Sequence, residues 1–299
     1  MGKWPTHVTI KEVGPRDGLQ NEKTQIATED KIAWINKLSK TGLTYIEITS
    51  FVHPKWIPQL SDALEVATRI ERVPGVTYAA LVPNQKGLEK ALTAQVDEVA
   101  VFMSASETHN RKNINKSIEE TFPVLEEVVR AAKQEGKTVR GYVSTVFGCP
   151  YEGSVSVEQV IRVSERLFDM GIDELSLGDT IGVATPKQVQ ELLEIVLKRF
   201  PKEKLAMHFH DTRGTALANI LISLEMGITT FDSSLGGLGG CPYAPGASGN
   251  VATDDLVYML HGMGIATGID VQRLMEAALF IQEKIGRPLS SRYLQTIST

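Results

Sequence analysis

The amino-acid sequence predicts an α/β protein built as a closed (β/α)8 barrel, the TIM barrel, with an additional C-terminal helical segment. Short apolar or β-branched runs alternate with longer amphipathic stretches, and this β-then-α unit occurs eight times. Eight units in roughly 250 residues match the usual size of such a barrel, whereas an open doubly wound sheet seldom needs so many. No linker interrupts the 299 residues. We therefore expect one domain over 1–299, with the barrel over about 7–265 and a helical extension over about 269–299.

Eight short segments rich in apolar and β-branched residues are the strand candidates. In chain order they read HVTIKEV from His7, YIEITS from Tyr45, TYAALVP from Thr77, EVAVFMSAS from Glu98, VRGYVSTVF from Val139, ELSLGDT from Glu174, LAMHFHD from Leu205 and TTFDSSL from Thr229. The strands of such a barrel are parallel, and active sites of this fold lie at their C-terminal ends. Polar residues at those ends are therefore the candidates for a functional site.

The stretches between the strands carry helix start and stop signals. TEDKIAWINKLSKTG is opened by a Thr28 cap and closed by Gly42, and SDALEVATRIERVPG is capped by Ser61 and stopped before Pro74. In TPKQVQELLEIVLKRFP, Pro186 stands at the first helical position. A last amphipathic run, VQRLMEAALFIQEKIG, falls beyond the eighth unit. We expect it to pack outside the barrel, at a position suited to a subunit contact.

Composition and charge restrict the possible partners. With 31 basic and 36 acidic residues the formal net charge is -5, and no basic block suggests nucleic acid or an anionic membrane surface. No window is apolar over a membrane-spanning length, and no signal core or transit presequence precedes the first strand. The two cysteines, Cys149 and Cys241, are too few for a disulfide framework. We therefore expect a cytoplasmic protein with a small-molecule partner.

Polar residues are concentrated at the strand ends. The first strand is followed by Arg16, Asp17 and Gln20, the second contains Glu47, the sixth ends in Asp179, and the seventh contains His208 and His210. His208 and His210 are spaced i, i+2, so both side chains point to one face, which on a barrel strand can be the lumen. Two imidazoles side by side suit a divalent metal. An isolated pair of this kind, however, is more often a pair of core or surface histidines.

Two further donors favour the metal interpretation. Asp17 and Asn250 offer hard oxygen ligands at strand ends one and eight, close to strand seven on a closed barrel. A mixed set of nitrogen and oxygen donors leaves room for water and substrate. Such a set suits Mg or Mn better than structural zinc.

Arg16 and Glu47 form a candidate ion pair beside this metal site. Arg16 adjoins Asp17, so its guanidinium could stabilise a developing enolate oxygen, although a surface ion pair would also fit the turn PRDG. Glu47 interrupts an apolar strand, where a carboxylate is costly unless paired. Arg16 is its candidate partner, and a purely structural buried pair remains open.

A glycine-rich segment near the eighth strand carries the second cysteine. GGLGGCPYAPGASGN, residues 236–250, has six glycines among its fifteen residues. These glycines would let the segment fold over a bound ligand and carry the Cys241 thiol inward. The thiol could move a proton, act as a nucleophile, or be an inert surface group. A role in the site is favoured because Asn250, a proposed ligand, ends the same segment.

Four motifs, PRDGLQNE, LGDTIG, HFHDTRG and GGLGGCPYAPGASGN, resemble those of the 3-hydroxy-3-methylglutaryl-CoA (HMG-CoA) lyases, within the DRE-TIM metallolyase superfamily. The resemblance runs from the first strand to about Tyr258. Related synthases carry glutamate where this chain has Leu19, and they lack the Gly-Gly-Cys-Pro-Tyr loop. Both differences favour a lyase over a condensing synthase. Asp254 departs from the pattern, because animal lyases are expected to carry glutamate there.

The resemblance implies a metal-dependent retro-Claisen cleavage of HMG-CoA to acetyl-CoA and acetoacetate, as in leucine degradation and ketone-body formation. It implies Asp17, His208, His210 and Asn250 as ligands of Mg or Mn, Arg16 and Gln20 as substrate-binding residues, and Arg16, Asp17, Glu47, Asp179, His208 and Cys241 as catalytic residues. The alternatives are a related synthase, a lyase for a homologous 3-hydroxyacyl-CoA, and a barrel that only binds its ligand.

The resemblance also sets expectations about partners and cellular location. The expected partner is an acyl-CoA, with no nucleic acid and no membrane, and the expected assembly is a homo-oligomer, most simply a dimer. The sequence shows neither the leader nor the C-terminal peroxisomal signal of the animal lyases. We therefore expect a bacterial, cytoplasmic form.

Overall fold

Eight parallel strands close into a barrel in chain order, with β8 hydrogen-bonded to β1. The computed structural model describes residues 4–239 and 249–297. The strands are Thr9–Glu12 (β1), Tyr45–Ser50 (β2), Thr77–Leu81 (β3), Glu98–Ser104 (β4), Thr138–Ser144 (β5), Glu174–Asp179 (β6), Leu205–Phe209 (β7) and Thr230–Ser233 (β8). Seven of them lie within the predicted strand segments, β5 begins one residue before its segment, and the predicted (β/α)8 barrel is confirmed.

Helices follow the strands and surround the barrel. Those of the described residues are Thr28–Leu38 (α1), Ala63–Arg69 (α2), Gln85–Thr93 (α3), Glu107–Ile114 (α4), Ile118–Gln134 (α5), Val157–Asp169 (α6), Pro186–Val196 (α7), Ala216–Glu225 (α8), Thr253–Gly262 (α9), Val271–Ile285 (α10) and Arg292–Ile297 (α11). Two helices rather than one connect β4 to β5. The second of them, α5, begins with a capping box of Ser117 and Glu120.

One helix-start prediction is confirmed and two are wrong. Pro186 is the first residue of α7, as expected. Thr28 is also a first helical residue rather than a cap, and its hydroxyl donates a 2.8 Å hydrogen bond to Asp62 Oδ2. Ser61 lies two residues before α2, and Asp62, which directly precedes that helix, accepts from Thr28 and Lys31 instead of capping it. A tertiary contact between α1 and the start of α2 thus replaces the local caps.

The lumen of the barrel is unusually polar. Arg140 on β5 binds Asp232 on β8, and Tyr142 on β5 binds Glu47 on β2, so these side chains meet across the inside of the barrel. The main apolar core instead lies between the strands and the helices, where Trp34 is among the largest fully buried side chains. Apolar branched side chains usually fill such a lumen. The charged side chains inside this lumen therefore need an explanation other than packing.

The chain continues beyond the barrel with the predicted helical segment. Helix α10 packs against α1 and α9, and the Asp270 carboxylate caps its start by accepting from the Arg273 backbone N–H at 3.2 Å. The expectation that this helix lies outside the strands is confirmed, while the subunit contact and the domain limits remain predictions. No helix among the described residues is long and apolar enough to cross a membrane.

Gly42, which lies between α1 and β2, packs against the backbone just before α10. Helix α1 ends at Leu38, four residues before the predicted stop at Gly42. Gly42 has φ +91°, and a Cβ atom there would lie 2.1 Å from the carbonyl oxygen of Gly268. Both the left-handed backbone and the close approach of two chain segments require glycine.

We expect Gly42→Ala to lower the melting temperature more than Gly75→Ala. Gly75 has a similar φ of +87°, but a Cβ atom there would meet nothing within 4 Å. The control therefore reports the backbone conformation alone, about 1 to 2 kcal/mol. Gly42→Ala adds the displacement of the Gly268 backbone. Equal melting temperatures for the two variants, measured by calorimetry, would show that the close approach has no energetic weight.

Candidate active site

A cavity of about 400 Å³ opens at the C-terminal ends of the strands. Its polar lining includes Arg16, Asp17 and Gln20 after β1 and His208 and His210 at the end of β7. The polar residues that sequence analysis selected at strand ends one and seven are thus brought together. Apolar side chains from the neighbouring strands complete the wall, which gives the shape of a small-molecule site.

The chain places Arg16 and Asp17 by a tight π-helical turn directly after β1. This turn, Gly14–Gly18, has Pro15 as its second residue, and the backbone N–H of Asp17 donates to the carbonyl oxygen of Val13 at 2.7 Å. The fixed φ of the proline favours the start of a helical turn. The turn presents two neighbouring, oppositely charged side chains to the cavity.

Arg16 and Glu47 form the ion pair expected from the sequence. Arg16 Nε and Nη2 donate to Glu47 Oε2 at 2.8 and 2.7 Å, and Nη1 donates to Asp17. Burial raises the pKa of the Glu47 carboxyl, and the adjacent Arg16 opposes that shift. Tyr142 lies against the guanidinium, whose carbon is 5.5 Å from the ring centroid. The cation is therefore held in one orientation inside the protein.

Asp17, His208 and His210 form a candidate metal site. One donor atom from each residue lies within 4.8 Å of the others. Burial by itself would raise the pKa of the Asp17 carboxyl, but Arg16 and the two histidines lower it to about 2. Burial and His208 lower the pKa of His210 to about 4. At neutral pH these two residues therefore hold the deprotonated forms that a metal ion requires.

Asn250 lies beside this cluster, as the sequence predicted. Its Nδ2 donates to Asp17 Oδ2 at 2.8 Å and to the Leu238 carbonyl oxygen at 3.0 Å. Among the described residues, its buried Oδ1 has no hydrogen-bond partner, and neither has the buried Nδ1 of His210. Buried polar atoms without partners are costly. A cation near these atoms would satisfy them, so the residues present fit a divalent metal.

The other predicted site residues occupy different positions. Gln20 lines the cavity. The carboxylate of Asp179 accepts two 3.0 Å hydrogen bonds from the backbone N–H groups of Val183 and Ala184. Asp179 thus supports the loop after β6, and its neighbours in the chain line the cavity instead. Cys241 lies outside the described residues.

Gly239, in the described part of the glycine-rich segment, packs against the candidate ligands Asn250 and Asp17. Gly239 has φ +101°, and a Cβ atom there would lie 2.5 Å from Asn250 Nδ2 and 3.2 Å from the Asp17 carbonyl oxygen. At this position glycine is required for close packing as well as for its backbone conformation.

Two buried carboxyl groups anchor the start of that segment. Glu12 accepts backbone hydrogen bonds from Gly14 at 2.8 Å and Leu235 at 3.0 Å, and a 2.6 Å bond from the Thr253 hydroxyl. Asp254 accepts from the Gly236 backbone at 2.9 Å and from a serine hydroxyl near the C-terminus. Burial raises the pKa of Glu12 to about 7 and that of Asp254 to about 6. The Asp254 side chain is thereby engaged in this anchor.

A family model described as HMGL-like matches residues 7–281. The chain belongs to the HMGL-like family. Its relatives include the hydroxymethylglutaryl-CoA lyase YngG of Bacillus subtilis, 64% identical over 296 residues and 99% of each chain. They also include the cytoplasmic 3-hydroxy-3-methylglutaryl-CoA lyase of Rattus norvegicus, 54% identical over 97% of this chain and 85% of the relative.

Solved structures of HMGL-like proteins have the same fold. The crystal structure of the Bacillus subtilis HMG-CoA lyase superposes with a TM-score of 0.98 at 64% identity, covering 99% of each chain. An HMG-CoA lyase from Acinetobacter baumannii, in complex with coenzyme A and 3-methylmalate, superposes with a TM-score of 0.94 at 41% identity, covering 99% of this chain and 97% of that one.

Sequence reasoning missed three buried residues of this HMGL-like site. His208 Nδ1 lies 3.2 Å from Asp232 Oδ2, and Asp232 is bound in turn by Arg140. Tyr142 also lines the cavity. A usable signal was present, because Arg140 and Asp232 interrupt the strand segments VRGYVSTVF and TTFDSSL as Glu47 interrupts YIEITS. An ionisable residue inside a buried strand needs a partner.

We expect Glu12→Gln to flatten the dependence of the melting temperature on pH. The folded pKa of about 7 exceeds the ordinary value of 4.5, so the folded protein binds more protons than the unfolded chain between these values. The stability contribution of this group is therefore fully present below about pH 4.5 and is lost as the pH rises through 7. Glutamine keeps an acceptor for the two backbone donors and can donate to Thr253.

The control is Glu89→Gln, which removes an exposed carboxylate from α3. Its pH profile should parallel that of the unchanged protein. If Glu12→Gln kept the original slope between about pH 4.5 and 7, the burial of Glu12 would not be linked to folding in this way.

Proposed function

We propose that this protein is a carbon–carbon lyase that cleaves HMG-CoA to acetyl-CoA and acetoacetate. The observation that carries the proposal is the presence, in one cavity, of the buried cation Arg16 and the donor cluster Asp17, His208 and His210. The HMG-CoA lyases to which the chain is 64% and 54% identical support this substrate. The coenzyme A bound in the Acinetobacter structure supports an acyl-CoA ligand.

The cofactor in this proposal is a divalent cation, Mg²⁺ or Mn²⁺. Asp17, His208, His210 and Asn250 would hold it, since they combine hard oxygen and imidazole donors. When bound, the cation supplies Lewis-acid polarisation of the substrate hydroxyl, which favours loss of its proton.

The side chains of the protein carry out the proton transfers and the charge stabilisation of a retro-Claisen cleavage. Asp17 or His208 accepts the proton of the tertiary hydroxyl. The oxygen forms the ketone of acetoacetate as the bond to the thioester α-carbon breaks, and the electron pair of that bond passes into the acetyl-CoA enolate. Arg16, oriented by Glu47, stabilises the enolate oxygen. The enolate carbon finally takes up a proton.

Three residues have supporting roles in the proposal. Gln20 contacts the substrate from the cavity wall. Asp179 keeps the loop after β6 in position through its two backbone bonds. Cys241 donates the proton to the enolate carbon, a role supported by the resemblance of its sequence segment to the lyase motif.

A condensing synthase is the second candidate, and Leu19 disfavours it. The position where related synthases carry glutamate is here a fully buried leucine within the apolar core. This side chain therefore offers the cavity no carboxylate. Incubation with acetyl-CoA and a panel of 2-oxo acids should release no free CoA, whereas HMG-CoA should yield acetoacetate. A protein that only binds acyl-CoA would give neither product.

We also propose a cytoplasmic homo-oligomer, most simply a dimer. The scarcity of cysteine, which fits a reducing compartment, supports the cytoplasmic location. A stacked aromatic pair, Tyr258 and Tyr293 with centroids 5.2 Å apart, supports the homo-oligomer, because Tyr258 is 65% exposed. Light scattering after gel filtration measures the assembly.

We expect His208→Ala and His210→Ala each to weaken Mn²⁺ binding by more than the roughly 10- to 100-fold that loss of an outer-shell partner costs, and to abolish most acetoacetate formation. Each variant removes one imidazole donor from the cluster. His261→Ala is the control, since this exposed histidine bonds Thr267 away from the cavity. Equilibrium dialysis measures the metal and a coupled assay the product. Unchanged metal binding in both cluster variants would refute the ligand assignment.

We expect Cys241→Ser to keep Mn²⁺ affinity and melting temperature while losing most turnover. A serine hydroxyl is a far weaker acid than a thiol, so proton transfer to the enolate carbon should slow. Cys149→Ser is the matched control, since this thiol is buried beside Ser106. Near-normal turnover in Cys241→Ser would exclude the proposed proton donor.

A further inference from the structure

His208 uses its two ring nitrogens for different partners. Nε2 lies 3.9 Å from Asp17 Oδ2, on the side of the candidate metal site. Nδ1 lies 3.2 Å from Asp232 Oδ2. An ionised carboxylate can only accept hydrogen bonds, so the proton of a neutral His208 must lie on Nδ1 if this contact is to form.

Asp232 is held in its ionised form deep in the lumen. The fully buried Arg140 guanidinium pairs with this carboxylate and favours its charged form. Arg140 Nη2 donates to Oδ1 at 2.7 Å and Nη1 to Oδ2 at 3.2 Å, and the Ser176 hydroxyl donates to Oδ2 at 2.8 Å. The carboxylate has no exposed surface.

Arg140 also supports the other half of the site. Its Nη1 donates to the Tyr142 oxygen at 2.6 Å, and the Tyr142 hydroxyl donates to Glu47 Oε2 at 3.2 Å. That same Glu47 oxygen accepts from Arg16. One fully buried cation is therefore joined through hydrogen bonds to His208 on one side and to Arg16 on the other.

We propose that Asp232, fixed by Arg140, is a positioning residue that sets the tautomer and the ring orientation of His208. With the proton on Nδ1, the lone pair of Nε2 faces Asp17 and is free for a metal ion or a proton. A carboxylate behind a ligating histidine also raises its basicity. The benefit to catalysis rests on the proposed lyase function, but the tautomer can be measured without it.

The test is the tautomer of His208 in metal-free protein, read from long-range proton–nitrogen correlations at mildly alkaline pH. The chain has six histidines, and the signal lost in His208→Gln assigns the residue. Wild-type protein should show His208 protonated on Nδ1. In Asp232→Asn, Arg140 should retain the remaining oxygen, so the amide N–H groups face His208 and force the proton onto Nε2.

The change of His208 tautomer in Asp232→Asn should weaken Mn²⁺ binding about 10- to 100-fold. The affinity is measured from the electron paramagnetic resonance of free Mn²⁺. Ser176→Ala is the matched control, because it removes a neutral hydrogen bond from the same oxygen but leaves the charge. Its His208 tautomer should be that of the wild type. The signal of His261, bound to Thr267 at 2.8 Å, reports whether the fold is intact.

Asp232→Asn leaves a buried arginine with less charge compensation, which can prevent folding. The double variant Arg140→Gln/Asp232→Asn removes both charges and should show no single His208 tautomer. A wild-type His208 protonated on Nε2 overturns the proposal. So do a wild-type tautomer and a wild-type Mn²⁺ affinity in a folded Asp232→Asn variant or in the folded double variant. Absence of acetoacetate formation by wild-type protein would instead refute the proposed function and leave the tautomer result standing.

Discussion

Two arginine side chains are buried inside the barrel, and their charges must be balanced there. Arg140 is bound by Asp232 and Glu174, and Arg16 by Glu47 and Asp17. Removing one partner of such a buried pair costs about 3 to 5 kcal/mol, because an uncompensated charge remains. The carboxylates come from β2, β6, β8 and the turn after β1. Pairing these charges therefore fixes the positions of strands that lie on different sides of the barrel.

The same pairing prepares the site for chemistry. Arg16 is already oriented by Glu47, and His208 by Asp232, before any substrate is present. Groups fixed in a low-dielectric site need little reorganisation when charge develops on a substrate. Asp17 belongs to both parts, since it pairs with Arg16 and contributes a donor to the candidate metal site. A cleavage that forms an enolate beside a deprotonated hydroxyl requires such a joint arrangement.

The sequence predicts the barrel and the meeting of several site residues at one end of it, but not the charge network inside the lumen. Periodicity locates all eight strands, and because parallel strands end at one face, Asp17 and His208 were expected to meet. The pairing of side chains across the lumen cannot be predicted in this way. Arg140 and Asp232 are 92 positions apart, and no local pattern relates them. Asp179 shows the opposite difficulty, because its position at a strand end does not reveal that loop backbone N–H groups occupy its carboxylate.

A lumen filled with apolar side chains would hold the barrel together equally well, since well-packed hydrophobic replacements of buried ion pairs are often neutral or stabilising. Stability alone therefore does not explain the charges. Their arrangement explains them better, because two of the hydrogen-bonded chains that leave Arg140 end at the two groups with proposed chemical roles, His208 and Arg16. Side chains in one connected network are energetically coupled. The orientation of the candidate metal ligand and that of the enolate-binding cation are thus parts of one structural unit centred on Arg140.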